Sequence, residues 1–195
     1  MRRGFLVVRI WALAVLCSSF SPLVFAQTEA PTTVGETPSA PINLPFMEDL
    51  RDVSRDLAGM KERKIPMLLF IHASYCGYCQ WVDENYIEPM RSDPAYEGKL
   101  IVRRIEIDAD LSILDRHGVE ESNRHFADRM GVHLVPVVAF FGPDGEAIGD
   151  PLTGVTVQDF YPYYLQQGID LAETCAKNPD PKKCAPSKKK DQRSL

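Results

Sequence analysis

Pro66-Met67-Leu68-Leu69-Phe70-Ile71-His72-Ala73-Ser74-Tyr75-Cys76-Gly77-Tyr78-Cys79-Gln80-Trp81 is the stretch on which the reading of this chain turns. The apolar run Met67 to Ile71 predicts a strand buried on both faces, and the residues from Cys76 onward predict an amphipathic helix. The two thiols therefore fall at a strand-to-helix junction. The first turn of a helix presents unpaired backbone N–H groups and the positive end of the helix dipole, which stabilise an anion beside them. A thiolate at Cys76 gains from that placement, and such surroundings lower a cysteine pKa from about 8.5 into a range of about 3.5 to 7.5. Cys79 lies one helical turn further on, near enough to close a small ring with Cys76. The pair can then pass between dithiol and disulfide without rebuilding the fold.

Toward the N-terminus the composition changes. Arg2, Arg3 and Arg9 precede the apolar stretch Ile10 to Leu16, and Val24-Phe25-Ala26 places a small residue at minus one and Val at minus three before Gln27. This pattern predicts a secretory signal over residues 1–26, cleaved after Ala26. An uncleaved anchor is the competing reading, but the uninterrupted apolar part is shorter than the roughly 20 residues that a membrane span needs. Arg2-Arg3-Gly4-Phe5-Leu6 also resembles a twin-arginine export motif. Cys17 follows Leu16, where a lipidation site would want a small residue. Residues 27–45, with Pro31, Pro38, Pro41 and Pro45 among Thr, Ser, Ala and Gly, are expected to form a disordered tether. Removing the signal would leave 19 basic against 27 acidic residues, a charge of −8, so nucleic acid is not an expected partner. The basic end, Lys188 to Arg193, reads as a solvated tail.

Hydrophobic residues at 45% and charged residues at 25% are ordinary for a globular protein, so the information lies in their placement. Phe46, Met47, Leu50, Val53, Leu57 and Met60 recur at three- and four-residue intervals and predict a helix over 46–61. After the strand Met67 to His72 and the helix opening at about Cys76, Pro89 marks an end or a kink. Leu100, Ile101, Val102, Ile105 and Ile107 predict a second buried strand. The charged stretch Ala109 to Ser122 is ambiguous and reads as a loop holding a short helix. Asn123 to Met130 predicts a helix stopped by Gly131. The apolar run Val132 to Phe141 contains Pro136, which cannot donate to a ladder and so demands an edge, a bulge or a special peptide bond. Gly142-Pro143-Asp144-Gly145 predicts a turn into a short strand at 147–149. After Gly154, residues 155–167 predict a helix with Val157, Phe160, Tyr161 and Tyr164 as candidates for burial. The order α, β, α, β, α, β, β, α implies an α/β domain with a central mixed β-sheet flanked by helices.

Four cysteines remain beyond the signal: Cys76, Cys79, Cys175 and Cys184. Their even number and their proximity in sequence favour the pairs 76 with 79 and 175 with 184. The second pair flanks Asn178-Pro179-Asp180-Pro181, a turn-prone segment, and reads as a structural clip for the tail 169–195. A redox relay to the first pair is the alternative. His117, His125 and His133 have no metal-like spacing, so no metal is expected.

Ser74-Tyr75-Cys76-Gly77-Tyr78-Cys79, taken with Val135-Pro136 and Gly154, resembles the thioredoxin superfamily over residues 46–168. The resemblance implies a thioredoxin-like fold, with Cys76 as the attacking thiol and Cys79 as the resolving one. It further implies a cis bond between Val135 and Pro136 facing the dithiol, where the Val135 backbone can pair with an extended substrate. Gly77, Tyr78 and Gly154 are implied to border that substrate groove. No cofactor is implied beyond the redox-active disulfide itself. The family usually carries a buried acid where this chain has Phe70, and a tryptophan where it has His72. Proton handling must then differ, with Glu106 or Arg104 as candidates, while His72 either tunes the thiolate or is hydrogen-bonded inside the structure. The Gly-Tyr dipeptide is similar to that of periplasmic disulfide isomerases, but residues 27–45 cannot supply their dimerisation domain. SoxW-like exported thioredoxins resemble this chain more closely in size and signal. These features lead us to expect a monomeric periplasmic thiol–disulfide oxidoreductase that reduces protein disulfides and is itself reduced by a membrane donor of the DsbD type. An oxidase or isomerase is the alternative. A non-catalytic binding module is the alternative from another class.

Overall fold

Hydrophobic strands with alternating faces need cover on both sides, and the computed structural model supplies it. It describes Ile42, residues 44–187 and Leu195. The expected signal and anchor over 1–26, most of the tether, and the basic end at 188–193 lie outside the described residues, as does the whole unit Met1–Pro38; the described residues fall in the other unit, Ser39–Leu195.

Five strands, β1 (Met47–Asp49), β2 (Met67–His72), β3 (Ile101–Glu106), β6 (Val137–Phe141) and β7 (Ala147–Thr153), form one sheet in the order β1-β3-β2-β6-β7. The first three are mutually parallel, and β6 and β7 run antiparallel, so the sheet is mixed. The helices α1 (Val53–Arg63), α2 (Gly77–Val82), α3 (Asn123–Arg129), α4 (Tyr161–Lys177) and α5 (Pro181–Cys184) accompany it, together with a hairpin of β4 (Ser112–Leu114) and β5 (Glu120–Ser122).

Side chains alternate across a strand, and β2 uses both directions. Met67, Leu69 and Ile71 point into a cluster with Val53 and Met60 of α1, Phe126 of α3 and Phe141. Leu68 and Phe70 point the other way, into a cluster with Cys79 and Val82 of α2, Phe140, and Leu165 and Ile169 of α4. All five are fully buried, each contributing about 1.5–3 kcal/mol relative to exposure. The strand is thus the rigid mount for the loop that follows it.

The mixed α/β architecture agrees with the sequence reading, and several elements differ from it. The expected helix over 46–61 is a strand and a shorter helix: Met47 to Asp49 pair with Val102 to Arg104, and Asp52 caps α1 by accepting from the Arg55 N–H at 2.9 Å. The spacing of Phe46, Met47 and Leu50 served strand burial. Leu44 and Pro45, assigned to the tether, are held in place. Leu44 is buried against Gly59, and its carbonyl accepts from Arg63, while that of Pro45 accepts from Arg103. The stretch 109–122 contains the β4–β5 hairpin and no helix. The helix expected over 155–167 begins at Tyr161, after a 3-10 turn at Gln158–Phe160, and runs to Lys177, through the boundary expected at Gly168. Of its four burial candidates only Tyr161 is buried; the apolar stripe continues instead through Leu165, Ile169, Ala172 and Cys175. Pro89 sits in a 3-10 helix, Glu88–Arg91, that follows a π-helical turn, Asp83–Ile87, so α2 is re-wound before it ends. Asn123 to Arg129 forms the expected helix, stopped at Gly131 with φ 71°. No described helix is long and apolar enough to cross a membrane.

Candidate active site

The strand β2 ends at His72, and the chain turns through Ala73 to Tyr75 into α2. That turn is clasped from the end of β3: the backbone N–H of Ser74 donates to the Asp108 carboxylate at 3.0 Å, and the Ser74 hydroxyl donates to its other oxygen. These bonds from Ser74, the hydroxyl foremost, hold the Asp108 carboxyl below its ordinary pKa. Cys76 then occupies the N-cap of α2 in an extended conformation, and its Sγ accepts from the Cys79 N–H at 3.1 Å. The sulfur takes the place that a Ser or Asp oxygen fills at other helix starts. Cys76 and Cys79 are joined as a disulfide with their Cα atoms 5.1 Å apart. Cys79 is buried and Cys76 is partly exposed, so an incoming group can reach only the first sulfur.

Opposite the disulfide runs the segment before β6. The Val135–Pro136 bond is cis, and the Val135 carbonyl oxygen lies 3.9 Å from Cys76 Sγ. Among the described residues, the backbone N–H and C=O groups of His133, Leu134 and Val135 make no hydrogen bond to other backbone groups. Gly154, at φ 70°, donates its N–H to the Pro136 carbonyl at 2.7 Å and so braces the segment from the end of β7. An added Cβ at Gly154 would come 3.8 Å from Leu134. A cleft of about 340 Å³ opens between this segment and the dithiol loop, lined by Tyr75, Cys76, Arg124, His133, Leu134 and Val135 among others.

The structure brings together Cys76, Cys79, Val135, Pro136 and Gly154. Gly77 and Tyr78 stand exposed on the solvent side of α2, with nothing within 4 Å of a Cβ built at Gly77. Sequence reasoning missed Tyr75, Arg124, His133 and Leu134. Tyr75 and Leu134 adjoin residues it did select and His133 lies two before Val135, so only Arg124 had no local signal.

Phe70 and His72 occupy the positions where proton-handling groups were sought. Their rings stack with centroids 5.0 Å apart and planes 14° from parallel. The His72 side chain makes no hydrogen bond among the described residues, which corrects the expectation of a hydrogen-bonded histidine; stacking holds it instead. Burial, and then the nearby Arg104 guanidinium, push its imidazole pKa below the ordinary value. Arg104 is engaged by Asp83 and, at 3.6 Å, by Glu88, and neither it nor Glu106 hydrogen-bonds to a cysteine. The second disulfide, Cys175–Cys184, ties α4 to α5 with a Cα separation of 5.9 Å. No group of three or more His, Cys, Asp or Glu among the described residues could hold a metal ion.

Residues 47–143 match a family model described as thioredoxin-like. Solved structures with similarity to the chain include a thioredoxin from Thermus thermophilus, 20% identical over 66% of this chain and 93% of that one, with a TM-score of 0.44. Thioredoxin O2 from Arabidopsis thaliana in the oxidized state is 16% identical over 64% of this chain and 96% of that one, with a TM-score of 0.43. No curated protein matches the chain significantly. With the family match spanning β1 to the end of β6 and the central mixed sheet flanked by helices, the chain has a thioredoxin-like fold, with the Cys76–Cys79 pair at its strand-to-helix junction.

Proposed function

We propose that this protein is an exported thiol–disulfide oxidoreductase that reduces disulfides in partner proteins. The observation that carries the reading is the pairing of one accessible and one buried sulfur, with the accessible one 3.9 Å from an unpaired stretch of backbone. An extended segment of a partner can add to that stretch as a strand, which presents its disulfide to Cys76.

In the reduced protein the Cys79 N–H and the start of α2 favour the Cys76 thiolate over the thiol. The thiolate attacks one sulfur of the partner disulfide. A Cys76–partner bond forms, the partner S–S bond breaks, and the departing partner thiolate takes a proton from solvent. Cys79, deprotonated, then attacks Cys76 Sγ, which restores the intramolecular disulfide and releases the second partner thiolate. Two electrons have passed from the protein to the partner. A dithiol donor must return them, and a membrane protein of the DsbD type fits an oxidising compartment that holds no glutathione pool. The residues 1–26 support export to the periplasm, and the disulfide is the only redox group the reaction requires.

Replacing Cys79→Ser tests the reading. The variant should accumulate mixed disulfides through Cys76 with partner proteins or model disulfides, because the attack proceeds and the release cannot. Failure to form any such adduct would leave a binding module with a structural bridge. The direction of electron flow follows from the reduction potential of the Cys76–Cys79 couple: a value near the roughly −120 mV of strong oxidants would make the protein an oxidase instead.

A further inference from the structure

The cleft beside Cys76 carries a charge opposite to that of the chain as a whole. The sequence has 27 acidic against 22 basic residues, yet the residues that line this cleft include Arg124 and His133 and no carboxylate. The Arg124 guanidinium makes no ion pair and no hydrogen bond among the described residues, although Asp128 follows it by one turn and Glu121 precedes it. Glu121 is occupied by Arg129 at 2.7 Å and His125 at 2.6 Å. Asp108, which clasps the dithiol loop, is occupied by Ser74. Among the described residues Arg124 is therefore a charged donor group without a carboxylate partner, placed in the same cleft as the reacting sulfur.

We propose that Arg124 is a specificity-determining residue: it selects partner segments that carry an acidic side chain two residues from the cysteine attacked by Cys76. This rests on the oxidoreductase reading above. A sphere of 340 Å³ is about 9 Å across. An extended segment advances about 3.3 Å per residue and points alternate side chains the same way. The side chain two positions from the cysteine thus lies about 7 Å along and on the same face, inside the cleft, whereas its immediate neighbour points away. Arginine holds its charge at any working pH and matches a carboxylate with two parallel donors. His133, on the same wall, offers a further polar contact, and exposed Leu134 and Tyr75 cover the apolar part of the segment.

The test uses the reduced full chain and two disulfide-linked peptides that differ only in Glu or Gln at the second position from the cysteine, with exchange followed chromatographically. The Glu peptide should react about fivefold faster at low salt, the range of a partly exposed ion pair. Raising the salt to about 0.5 M should shrink that preference, since rim charges act through screened attraction. Arg124→Glu should reverse the preference and Arg124→Lys should retain part of it. Equal rates for the two peptides, or a preference for Glu that survives Arg124→Glu, would overturn the assignment. If the wild-type protein exchanged with neither peptide, the oxidoreductase reading itself would fall, so the two failures are told apart.

Discussion

Asp56→Ala should destabilise the protein more than any exposed charge removal, and the structure sets the scale. Asp56 and Arg103 are both fully buried, one on α1 and the other in the middle of β3. Arg103 Nε donates to Asp56 Oδ2 at 2.5 Å and Nη2 donates to Oδ1 at 3.1 Å, a bidentate pair. Nη1 donates to the carbonyls of Pro45 at 3.1 Å and Val102 at 2.8 Å, and Nη2 also meets Glu48 at 3.3 Å. All five guanidinium donors thus have partners. Removing the carboxylate, which also pairs with Arg55 at 3.0 Å, leaves the Arg103 cation in the interior with only the half-buried Glu48, shared with Arg55, to balance it, a loss of about 3–5 kcal/mol for a broken buried pair. The remaining Glu48 places the expected value near the lower end, about 3 kcal/mol. At about 2–4 °C per kcal/mol for a domain of this size, the melting temperature should fall by roughly 6–12 °C.

Thermal or urea unfolding of the oxidised protein, followed by circular dichroism, measures this directly. The comparison that isolates the cause is the double variant Asp56→Leu with Arg103→Met, which removes both charges and refills the space with apolar atoms. It should recover most of the loss, because desolvating two charges offsets most of what their attraction supplies. A loss below about 1 kcal/mol for Asp56→Ala, or a double variant as unstable as the single one, would refute the reasoning.

His72 should make stability fall on acidification: its folded-state pKa is lowered by burial and by Arg104, so the unfolded chain binds the proton more readily. Its contribution is present above about pH 6.5, the unfolded value, and is lost as pH drops below it toward the folded pKa; His72→Phe should remove this component from a pH series of denaturation midpoints. Gly168→Ala adds a better helix former to α4, worth about 1 kcal/mol, but the new Cβ would stand 2.3 Å from the buried Phe140 ring. The net change in urea unfolding should therefore be destabilising, by about 1–2 kcal/mol once overpacking is included. Removing both Cys175 and Cys184 by alanine should cost about 2–3 kcal/mol through the lost loop closure. The exchange rate with model disulfides should stay the same; a slowed rate at unchanged stability would make the pair a relay.

What could be read from the sequence divides along a physical line. The strand Met67 to Ile71, the dithiol junction and the helix stopped at Gly131 were legible because each is written in consecutive residues by apolar runs, cap residues or a glycine that accepts φ 71°. The three short strands β1, β4 and β5 were not, because three residues hold too little periodicity to record a pairing. Their pairings depend on partners elsewhere: β1 lies against Val102 to Arg104, and β4 against β5. Arg103 illustrates the same limit within a correctly read element. In Ile101-Val102-Arg103-Arg104-Ile105 its charge argues for an outward face, and burial follows only from Asp56, distant in sequence and on a different element.

The candidate site repeats this division. Cys76, Cys79, Val135, Pro136 and Gly154 sit in motifs that a resemblance can carry, whereas Arg124 reaches the cleft through the β4–β5 hairpin that sets the start of α3. Ser122 ends β5 and at the same time caps α3, accepting from the His125 N–H at 3.2 Å. That double duty leaves little freedom in where the first turn of the helix begins. A charge at position 124 is then placed by the hairpin rather than by any pattern around the cysteines. It follows that shortening the 109–122 stretch should change which disulfides the protein prefers before it changes whether the dithiol reacts at all. Chromatographic exchange assays with the Glu and Gln peptides on a hairpin-trimmed variant, checked for folding by circular dichroism, would show this as a lost preference with exchange retained. Retained preference would mean that α3 is held in place by its own packing through Phe126 and Ala127 and by the Asn123 side chain, which donates to the Glu106 carbonyl at 2.9 Å.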